Sequence, residues 1–214
     1  MDVIKVVNGS KSFGSHQVLK EVNITCSEGG IYGIIGRNGS GKTVLFKCIC
    51  GFLTLDSGDI YIGEKRLKKD VNMLTGAGII IEEPSFLRNY SGYKNLEFLY
   101  MIRNKRDKKH ICDILEMVGL EPDSHKHVGN YSMGMRQRLA IAQAIMEDQK
   151  ILILDEPMNG LDNHGVEEMR RLFLELKKEG KTILLASHNR EDIEILCDEV
   201  YEMDGGILQR KARK

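Results

Sequence analysis

Two segments of the chain end an apolar run in a pair of carboxylates and a proline. They are IIIEEP at residues 79–84 and LILDEP at residues 152–157. A buried strand that delivers adjacent acids at its carboxyl end can place a metal ligand beside a general base. The sequence therefore contains two candidate pairs for this chemistry, and the segments themselves do not say which pair performs it.

A glycine-rich segment, GRNGSGKT, precedes both acid pairs and matches the phosphate-binding pattern G-x-x-x-x-G-K-[ST]. A strand-like run leads into it and a helix-like run follows it. Its glycines allow backbone N–H groups to surround the β- and γ-phosphates, the Lys42 ammonium neutralises them, and the Thr43 hydroxyl can ligate Mg²⁺. The sequence therefore predicts a site for a nucleoside triphosphate, formed by Gly36, Arg37, Asn38, Gly39, Ser40, Gly41, Lys42 and Thr43.

An enzyme with such a loop also needs a carboxylate on a neighbouring strand to hold Mg²⁺. IIIEEP is the nearer candidate along the chain and LILDEP is the farther one, so spacing alone leaves both open. Between them lies YSMGMRQRLAIAQAI, a Ser-x-Gly turn that leads directly into an amphipathic helix. Ser132 is predicted to cap that helix.

Hydrophobic periodicity indicates the elements that must position these residues. The first 30 residues alternate apolar and polar types, broken by NGS and SEGG, and are read as short antiparallel strands and turns. Residues from about 93 to 147 have mostly helical spacing. Strands and helices alternate after that, so we expect a mainly parallel sheet with its ligands beyond the carboxyl ends of the strands.

The composition is that of a globular protein, with 42% hydrophobic and 29% charged residues. The 31 basic and 31 acidic residues balance, which gives no net field that favours nucleic acid or anionic lipid. We see neither a secretory leader nor a spanning apolar run, and expect a cytoplasmic chain that reaches a membrane only through a partner. The five scattered cysteines and the HKH segment at 125–127 are interpreted as reduced core residues and a solvated turn, not as metal ligands.

Taken in order, five motifs resemble those of the nucleotide-binding subunits of ATP-binding cassette (ABC) transporters. They are GRNGSGKT as Walker A, YSMGMRQR as the signature, ILILDEP as Walker B, NGLD as the D-loop, and the Ser187–His188 pair as the switch histidine. The resemblance covers nearly the whole chain, and the order of the motifs makes it specific.

The resemblance implies an α/β fold. We expect a P-loop NTPase (RecA-like) core with a mainly parallel sheet, an N-terminal antiparallel β subdomain and a helical subdomain. All of residues 1–214 would form one ABC ATPase domain, in which about 84–147 is the helical subdomain and about 1–83 and 148–214 are the core with the β subdomain.

The resemblance also decides between the acid pairs. It implies that Asp155 holds Mg²⁺ and that Glu156 polarises the attacking water as general base, an effect worth ~10²–10⁴ in rate. His188 ends the following parallel strand and would contact the γ-phosphate close to Glu156.

The signature segment has an implied role in a second subunit. Ser132 and Gly134 would present a helix N-terminus to the ATP bound by that subunit, so that hydrolysis needs a head-to-tail dimer. Asp162 of the D-loop would help to join the two sites. The signature commonly reads Leu-Ser-Gly-Gly-Gln, and this chain departs from it at Tyr131, Met133 and Met135.

Near the N-terminus, KSFGSHQVL resembles the segment whose aromatic residue stacks on adenine. Phe13 is the candidate, where tyrosine is commoner in the family. A phenyl ring still offers a π-face for stacking. A core phenylalanine is the alternative.

Glu82 stands where the family usually has the glutamine of its Q-loop, a residue that reaches Mg²⁺ and the attacking water. A carboxylate keeps the acceptor oxygens but adds a charge, so a catalytic and metal-binding role is implied, and a solvated loop glutamate is the alternative. The EEP form resembles bacitracin- and lantibiotic-type export ATPases. Phe86 and Leu87 follow directly and are candidates either for contact with a membrane-subunit helix or for burial in the domain.

The implied function is that of an ATP-hydrolysing subunit that uses ATP and Mg²⁺. It would pair with a second ATPase subunit, as a homodimer or heterodimer, and drive an integral-membrane subunit that exports a peptide antibiotic or a similar compound. A soluble ABC-type ATPase that acts on nucleic acid or ribosomes is the alternative, although a single cassette with balanced charge does not favour nucleic acid. A small-molecule kinase is a weaker option, because the helical insertion carries the signature turn.

Overall fold

The computed structural model describes residues 1–83 and 85–211; Pro84, which ends the first acid motif, and residues 212–214 lie outside it. The strands are β1 (Asp2–Phe13), β2 (His16–Ser27), β3 (Ile31–Ile35), β4 (Ser57–Ile62), β5 (Lys65–Arg66), β6 (Ala77–Ile80), β7 (Ile151–Asp155), β8 (Thr182–Ser187), β9 (Glu199–Asp204) and β10 (Ile207–Lys211). The helices are α1 (Lys42–Cys50), α2 (Gly92–Tyr100), α3 (Lys108–Met117), α4 (Met133–Ile145), α5 (Asn163–Lys178) and α6 (Arg190–Leu196), with a 3₁₀ turn at Val128–Asn130.

The strands form two sheets. The first is antiparallel, in the order β2-β1-β4-β5, and the second has the order β10-β9-β3-β8-β7-β6. In the second sheet only the pairing of β10 with β9 is antiparallel, and the other neighbours are parallel. The predicted α/β fold with a mainly parallel sheet and an N-terminal antiparallel sheet is therefore confirmed.

The first two strands are longer than the sequence pattern predicts. NGS at residues 8–10 was expected to break the first strand, yet β1 continues through it to Phe13. Asn8 has a positive φ of 49°, and the register between β1 and β2 shifts between Val6 and Gly9. These irregularities are those of a β-bulge, which bends a strand without ending it. The NGS residues therefore lie inside β1, within a single β1–β2 hairpin.

The parallel sheet is buried on both faces because its strands alternate between two hydrophobic clusters. Leu152 and Leu154 of β7 face one cluster, which is formed mainly with α2 to α6. Ile153 faces the other, which contains α1 and the antiparallel sheet. Alternation follows from the two-residue period of a strand, and burial on both faces explains why β3 and β8 are continuous apolar runs.

Helices α2, α3 and α4 occupy the stretch in which helical spacing was predicted. α4 packs directly on β6. The Ala144 carbonyl of α4 lies so close to Gly78 of β6 that no side chain would fit at position 78. Ser132 caps α4, because its hydroxyl accepts a hydrogen bond from the Met135 N–H at 3.2 Å, as predicted. Within the described ranges no helix is both long and apolar enough to cross a membrane.

A buried carboxylate ties α2 to the segment that follows it. Glu97 is almost fully buried, and its oxygens accept hydrogen bonds from the Tyr93 hydroxyl at 2.9 Å, the Lys94 ammonium at 2.5 Å and the Arg106 guanidinium at 2.7 Å. Burial by itself raises the pKa of this carboxyl, but the three hydrogen bonds outweigh it and hold the pKa below its usual value. The ionised form of Glu97 therefore stabilises this region.

We expect Glu97→Gln to lower the free energy of unfolding by about 1–3 kcal/mol at pH 7, because the three donors lose their charged acceptor. The folded pKa lies below the usual 4.5, so the contribution is present above 4.5 and is lost as the pH falls through the folded value. Urea unfolding at pH 7 and at a series of pH values stepped down from 4.5 measures this difference, with the exposed Glu121→Gln as control. A loss of stability that stays the same down the whole acid series would contradict the assignment.

Candidate nucleotide-binding site

Four parallel strands deliver the predicted site residues to one edge of the sheet. β3 ends at Ile35 and leads into the glycine-rich loop, and β8 ends at Ser187 and leads into His188. β7 ends at Asp155, and β6 ends two residues before Glu82. The strands are neighbours in the order β3-β8-β7-β6, so their carboxyl ends converge, as expected for ligand sites on parallel sheets.

The glycine-rich loop has the shape of an anion site. Gly39 and Gly41 have positive φ values of 79° and 113°, conformations that glycine adopts without strain. The Lys42 ammonium is buried and folds back over the loop, where it donates to the Gly36 carbonyl at 2.8 Å. The Ser40 hydroxyl is buried and has no hydrogen-bond partner among residues 1–83 and 85–211. An unpaired buried hydroxyl, a lysine and the N-terminus of α1 together fit a phosphate group.

Thr43 and Asp155 meet beside the loop. The Thr43 hydroxyl donates to Asp155 Oδ2 at 2.5 Å, which joins the first turn of α1 to the end of β7. Burial is the main cause that raises the pKa of the Asp155 carboxyl, and the charges of Glu156 and Glu82 add to it. A hydroxyl and a carboxylate whose charge is poorly solvated are a suitable donor set for a hard cation such as Mg²⁺, which takes few protein ligands beside substrate phosphates.

No cluster of three or more His, Cys, Asp or Glu side chains suited to a metal occurs in the part of the chain that the structure describes. An all-protein cage is therefore missing there, and the HKH segment lies in a loop.

Glu156 is held by one oxygen and leaves the other unpaired. Its Oε2 lies 2.8 Å from His188 Nδ1 and accepts a hydrogen bond from the His188 backbone N–H at 3.3 Å. Its Oε1 is buried and has no partner within the described residues. The predicted closeness of His188 and Glu156 is therefore confirmed, and the free oxygen is placed to accept a further hydrogen bond.

Glu82 and Glu156 share an unusual backbone conformation. Their φ values are 62° and 51°, in the left-handed region that non-glycine residues seldom occupy. Each residue lies in the segment directly after a parallel strand, at the same edge of the sheet. Both residues line one cavity.

That cavity has a volume of about 410 Å³. Lys42, Thr43, Glu82, Glu83, Gln137, Asp155 and Glu156 are among the residues that line it. A larger cavity of about 980 Å³ lies between α6 and the β9–β10 hairpin, and none of the predicted site residues lines it. The smaller cavity is therefore the candidate site.

Two further residues at the site were missed in the sequence. The Lys47 ammonium forms an ion pair with Glu82 Oε1 at 2.6 Å. The Gln137 amide donates to the Pro157 carbonyl at 2.8 Å, which ties α4 to the loop after Asp155 and Glu156. The position of Lys47, one helical turn after Thr43, was the only available signal for it. Gln137 gave none, because its contact depends on how α4 packs.

Other predicted residues lie away from this cavity. Phe13 is at the end of the β1–β2 hairpin, about half exposed, with the Lys11 ammonium 5.6 Å from its ring centre. Ser132 and Gly134 are not among the residues that line the cavity, although Met133 is. Asp162 caps α5 through the Gly165 N–H at 2.8 Å. None of Phe13, Ser132, Gly134 and Asp162 lines the cavity that the glycine-rich loop borders.

A sequence model of the ABC transporter family matches residues 19–159 of the chain. The chain belongs to this family. As an ABC protein it binds nucleotide and hydrolyses ATP, and the P-loop NTPase fold predicted from the motifs is confirmed.

Curated relatives cover most of the chain. An uncharacterised ABC transporter ATP-binding protein of Bacillus subtilis is 40% identical over 97% of this chain and 95% of its own length. The bacitracin transport ATP-binding protein of Bacillus licheniformis is 42% identical over 96% of this chain and 68% of its own length. The lantibiotic transport ATP-binding protein of Streptococcus pyogenes is 35% identical over 98% of this chain and 90% of its own length.

Solved structures support the same fold. A dimeric bacterial ABC transporter cassette superposes with a TM-score of 0.88 at 23% identity and covers 99% of both chains. An ATP-binding cassette of an ABC transporter in its ADP conformation superposes with a TM-score of 0.81 at 26% identity, over 98% of this chain and 90% of that one.

We expect Asp155→Asn to raise the melting temperature of the nucleotide-free, metal-free ABC protein at pH 7. The folded pKa of Asp155 is raised, so its ionised form is less favourable in the folded chain than in the unfolded chain and costs stability above the unfolded pKa. Asparagine removes that charge and can still accept the Thr43 hydrogen bond. Calorimetry of the variant and of the exposed Asp204→Asn control measures the effect, and a lower melting temperature for Asp155→Asn alone would contradict it.

Proposed function

We propose that two such ATPase subunits close on two molecules of ATP with Mg²⁺ and drive an integral-membrane partner, which exports a peptide antibiotic or a similar compound. The cavity at the carboxyl edge of the sheet carries the proposal. In it, a glycine-rich loop, a cation-binding pair and a carboxylate with one free oxygen lie side by side. That combination is suited to in-line attack of water on a terminal phosphate.

Glu156 is the proposed general base. His188 holds its Oε2, so the buried Oε1 is left to accept the proton of the attacking water. Positioning by a neighbour lowers the cost of orienting this carboxylate during the reaction. His188, which is well exposed, is proposed to reach the γ-phosphate from the same side.

Lys42 and the backbone of residues 36–41 are proposed to hold the β- and γ-phosphates. Thr43 and Asp155 are proposed to hold Mg²⁺, with Glu82 as a further ligand from the opposite side of the cavity. When bound, Mg²⁺ supplies positive charge that offsets the charge developing on the phosphate oxygens. Thr43 and Asp155 themselves bring no positive charge, so a cation between them and the phosphates would supply it.

The signature residues are proposed to act on the nucleotide of a second subunit. Ser132 is exposed at the N-terminus of α4 and lies outside its own chain's cavity. A helix N-terminus attracts anions, so α4 can stabilise the γ-phosphate of a facing subunit. Gly134 would allow close backbone approach and Asp162 would lie between the two sites.

The membrane partner and the exported compound are inferred from relatives. The bacitracin and lantibiotic transport proteins carry those substrates in their names, and the chain shares 42% and 35% identity with them. Near Glu82, Leu87 is exposed whereas Phe86 packs against the core, so Leu87 is the better candidate for contact with the partner. Attachment through such a partner would place the chain at the cytoplasmic face of a membrane. The alternative of action on nucleic acid has no support from the balanced charge.

We expect Glu156→Gln to reduce ATP hydrolysis by about 10²–10⁴-fold, because the general base is lost. ATP should still bind, so the variant should form a stable dimer with ATP that elutes early in gel filtration. Glu175→Gln, on the exposed face of α5, is the matched control and should behave as wild type. A Glu156→Gln chain that stays monomeric at saturating ATP would contradict the proposed dimer.

We expect Phe13→Ala to weaken ATP binding by about two- to tenfold, the range of one lost aromatic stacking contact, and Phe13→Tyr to bind as wild type. The ring is about half exposed, so neither change should alter the melting temperature much. Titration with a fluorescent ATP analogue measures the affinities. Equal affinity of the alanine and tyrosine variants would assign Phe13 to the surface of the hairpin only.

A further inference from the structure

Lys47 lies close to the proposed cation site. It follows Thr43 by one turn of α1, so both side chains leave the helix on the same face. Its ammonium is 2.6 Å from Glu82 Oε1, and the lysine side chain is 28% exposed against 65% for the glutamate. The ion pair therefore joins α1, the helix that follows the phosphate loop, to the segment after β6.

Glu82 lines the cavity and has an unusual backbone conformation. Its left-handed φ of 62° is unfavourable for a glutamate, and such conformations persist where the surroundings fix them. Glu82 lines the same cavity as Thr43 and Asp155. Without a counter-ion its charge would add to those of Asp155 and Glu156, and Lys47 supplies that counter-ion.

We propose that Lys47 is a positioning residue, which holds the Glu82 carboxylate at the rim of the cavity in the nucleotide-free chain and competes with the divalent cation for it. The inference rests on the proposed magnesium site and extends it. An exposed ion pair is weak, so the cation with its nucleotide can displace Lys47 at small cost. Glu82 thus exchanges one cation for another when the site is loaded, and Lys47 sets the concentration of Mg²⁺ at which this happens.

The test is a cycle of four proteins: wild type, Lys47→Met, Glu82→Gln and the double variant. Mg²⁺ is titrated at constant ionic strength into each protein with a fluorescent, non-hydrolysable ATP analogue, and the half-saturating Mg²⁺ concentration is measured. Lys47→Met should lower it by about two- to fivefold, the scale of one exposed ion pair. Glu82→Gln should raise it, because a proposed ligand of the cation loses its charge, and Lys47→Met should have no further effect in that background.

Two controls separate this role from a general effect of charge or structure. Lys47→Arg keeps the ion pair and should restore the wild-type value. Lys178→Met removes an exposed ion pair of 2.7 Å elsewhere, with Glu175, and should change nothing. Melting temperatures of all variants show that they are folded.

The proposal is overturned if Lys47→Met shifts the half-saturating Mg²⁺ concentration by the same factor in the wild-type background and in the Glu82→Gln background. A general loss of positive charge would produce that result. It is also overturned if Lys47→Met leaves the wild-type value unchanged, or if binding of the analogue does not depend on Mg²⁺. The measurement needs neither hydrolysis nor a dimer. A chain that shows the predicted coupling but never dimerises would therefore contradict the proposed motor function and leave the role of Lys47 standing.

Discussion

The parallel pairing of β3, β8, β7 and β6 is the constraint from which the site follows. Backbone hydrogen bonds fix the register so that Ile35 lies opposite Ser187, Asp155 opposite Ala186 and Ile80 opposite Leu154. Because both faces of these strands are buried, a slip of one residue would move apolar side chains between the two clusters. The register is therefore strongly specified. It fixes where each polar residue that follows a strand lies relative to the residues that follow the neighbouring strands.

Several carboxylates lie close together at the carboxyl ends of these strands, and their mutual repulsion destabilises the folded chain unless other groups offset it. Four carboxylates, of Glu82, Glu83, Asp155 and Glu156, line one cavity, and three of them have different partners. Lys47 pairs with Glu82, His188 contacts Glu156, and Asp155 accepts a hydrogen bond from the Thr43 hydroxyl and lies near the charge of Lys42. Burial is the main cause that raises the pKa of Asp155, so a cation bound beside this carboxylate would offset its poorly solvated charge.

The site of one chain leaves two buried polar atoms without hydrogen-bond partners among the described residues. One oxygen of Glu156 and the Ser40 hydroxyl are unpaired within the described residues, which is costly unless a ligand or water satisfies them. Ser132, which caps α4, is exposed and is not among the residues that line this cavity. Both observations are explained if nucleotide fills the cavity and a second subunit brings its own α4 to cover it.

The sequence by itself determined those features that depend on neighbouring residues. The glycine-rich loop, the cap at Ser132, the acids at the ends of two strands and the alternation of strands and helices are all encoded over a few positions, and the family resemblance ranked Asp155 and Glu156 above the first pair. Only the tertiary structure decided what depends on the order of strands in the sheet and the packing of helices on it. The pairing of Lys47 with Glu82, the contact of Gln137 with the Pro157 carbonyl, the free oxygen of Glu156 and the bulge that carries β1 through NGS belong to this class. Each joins residues far apart in the chain, or depends on a neighbouring strand, and local propensity holds no information about such partners.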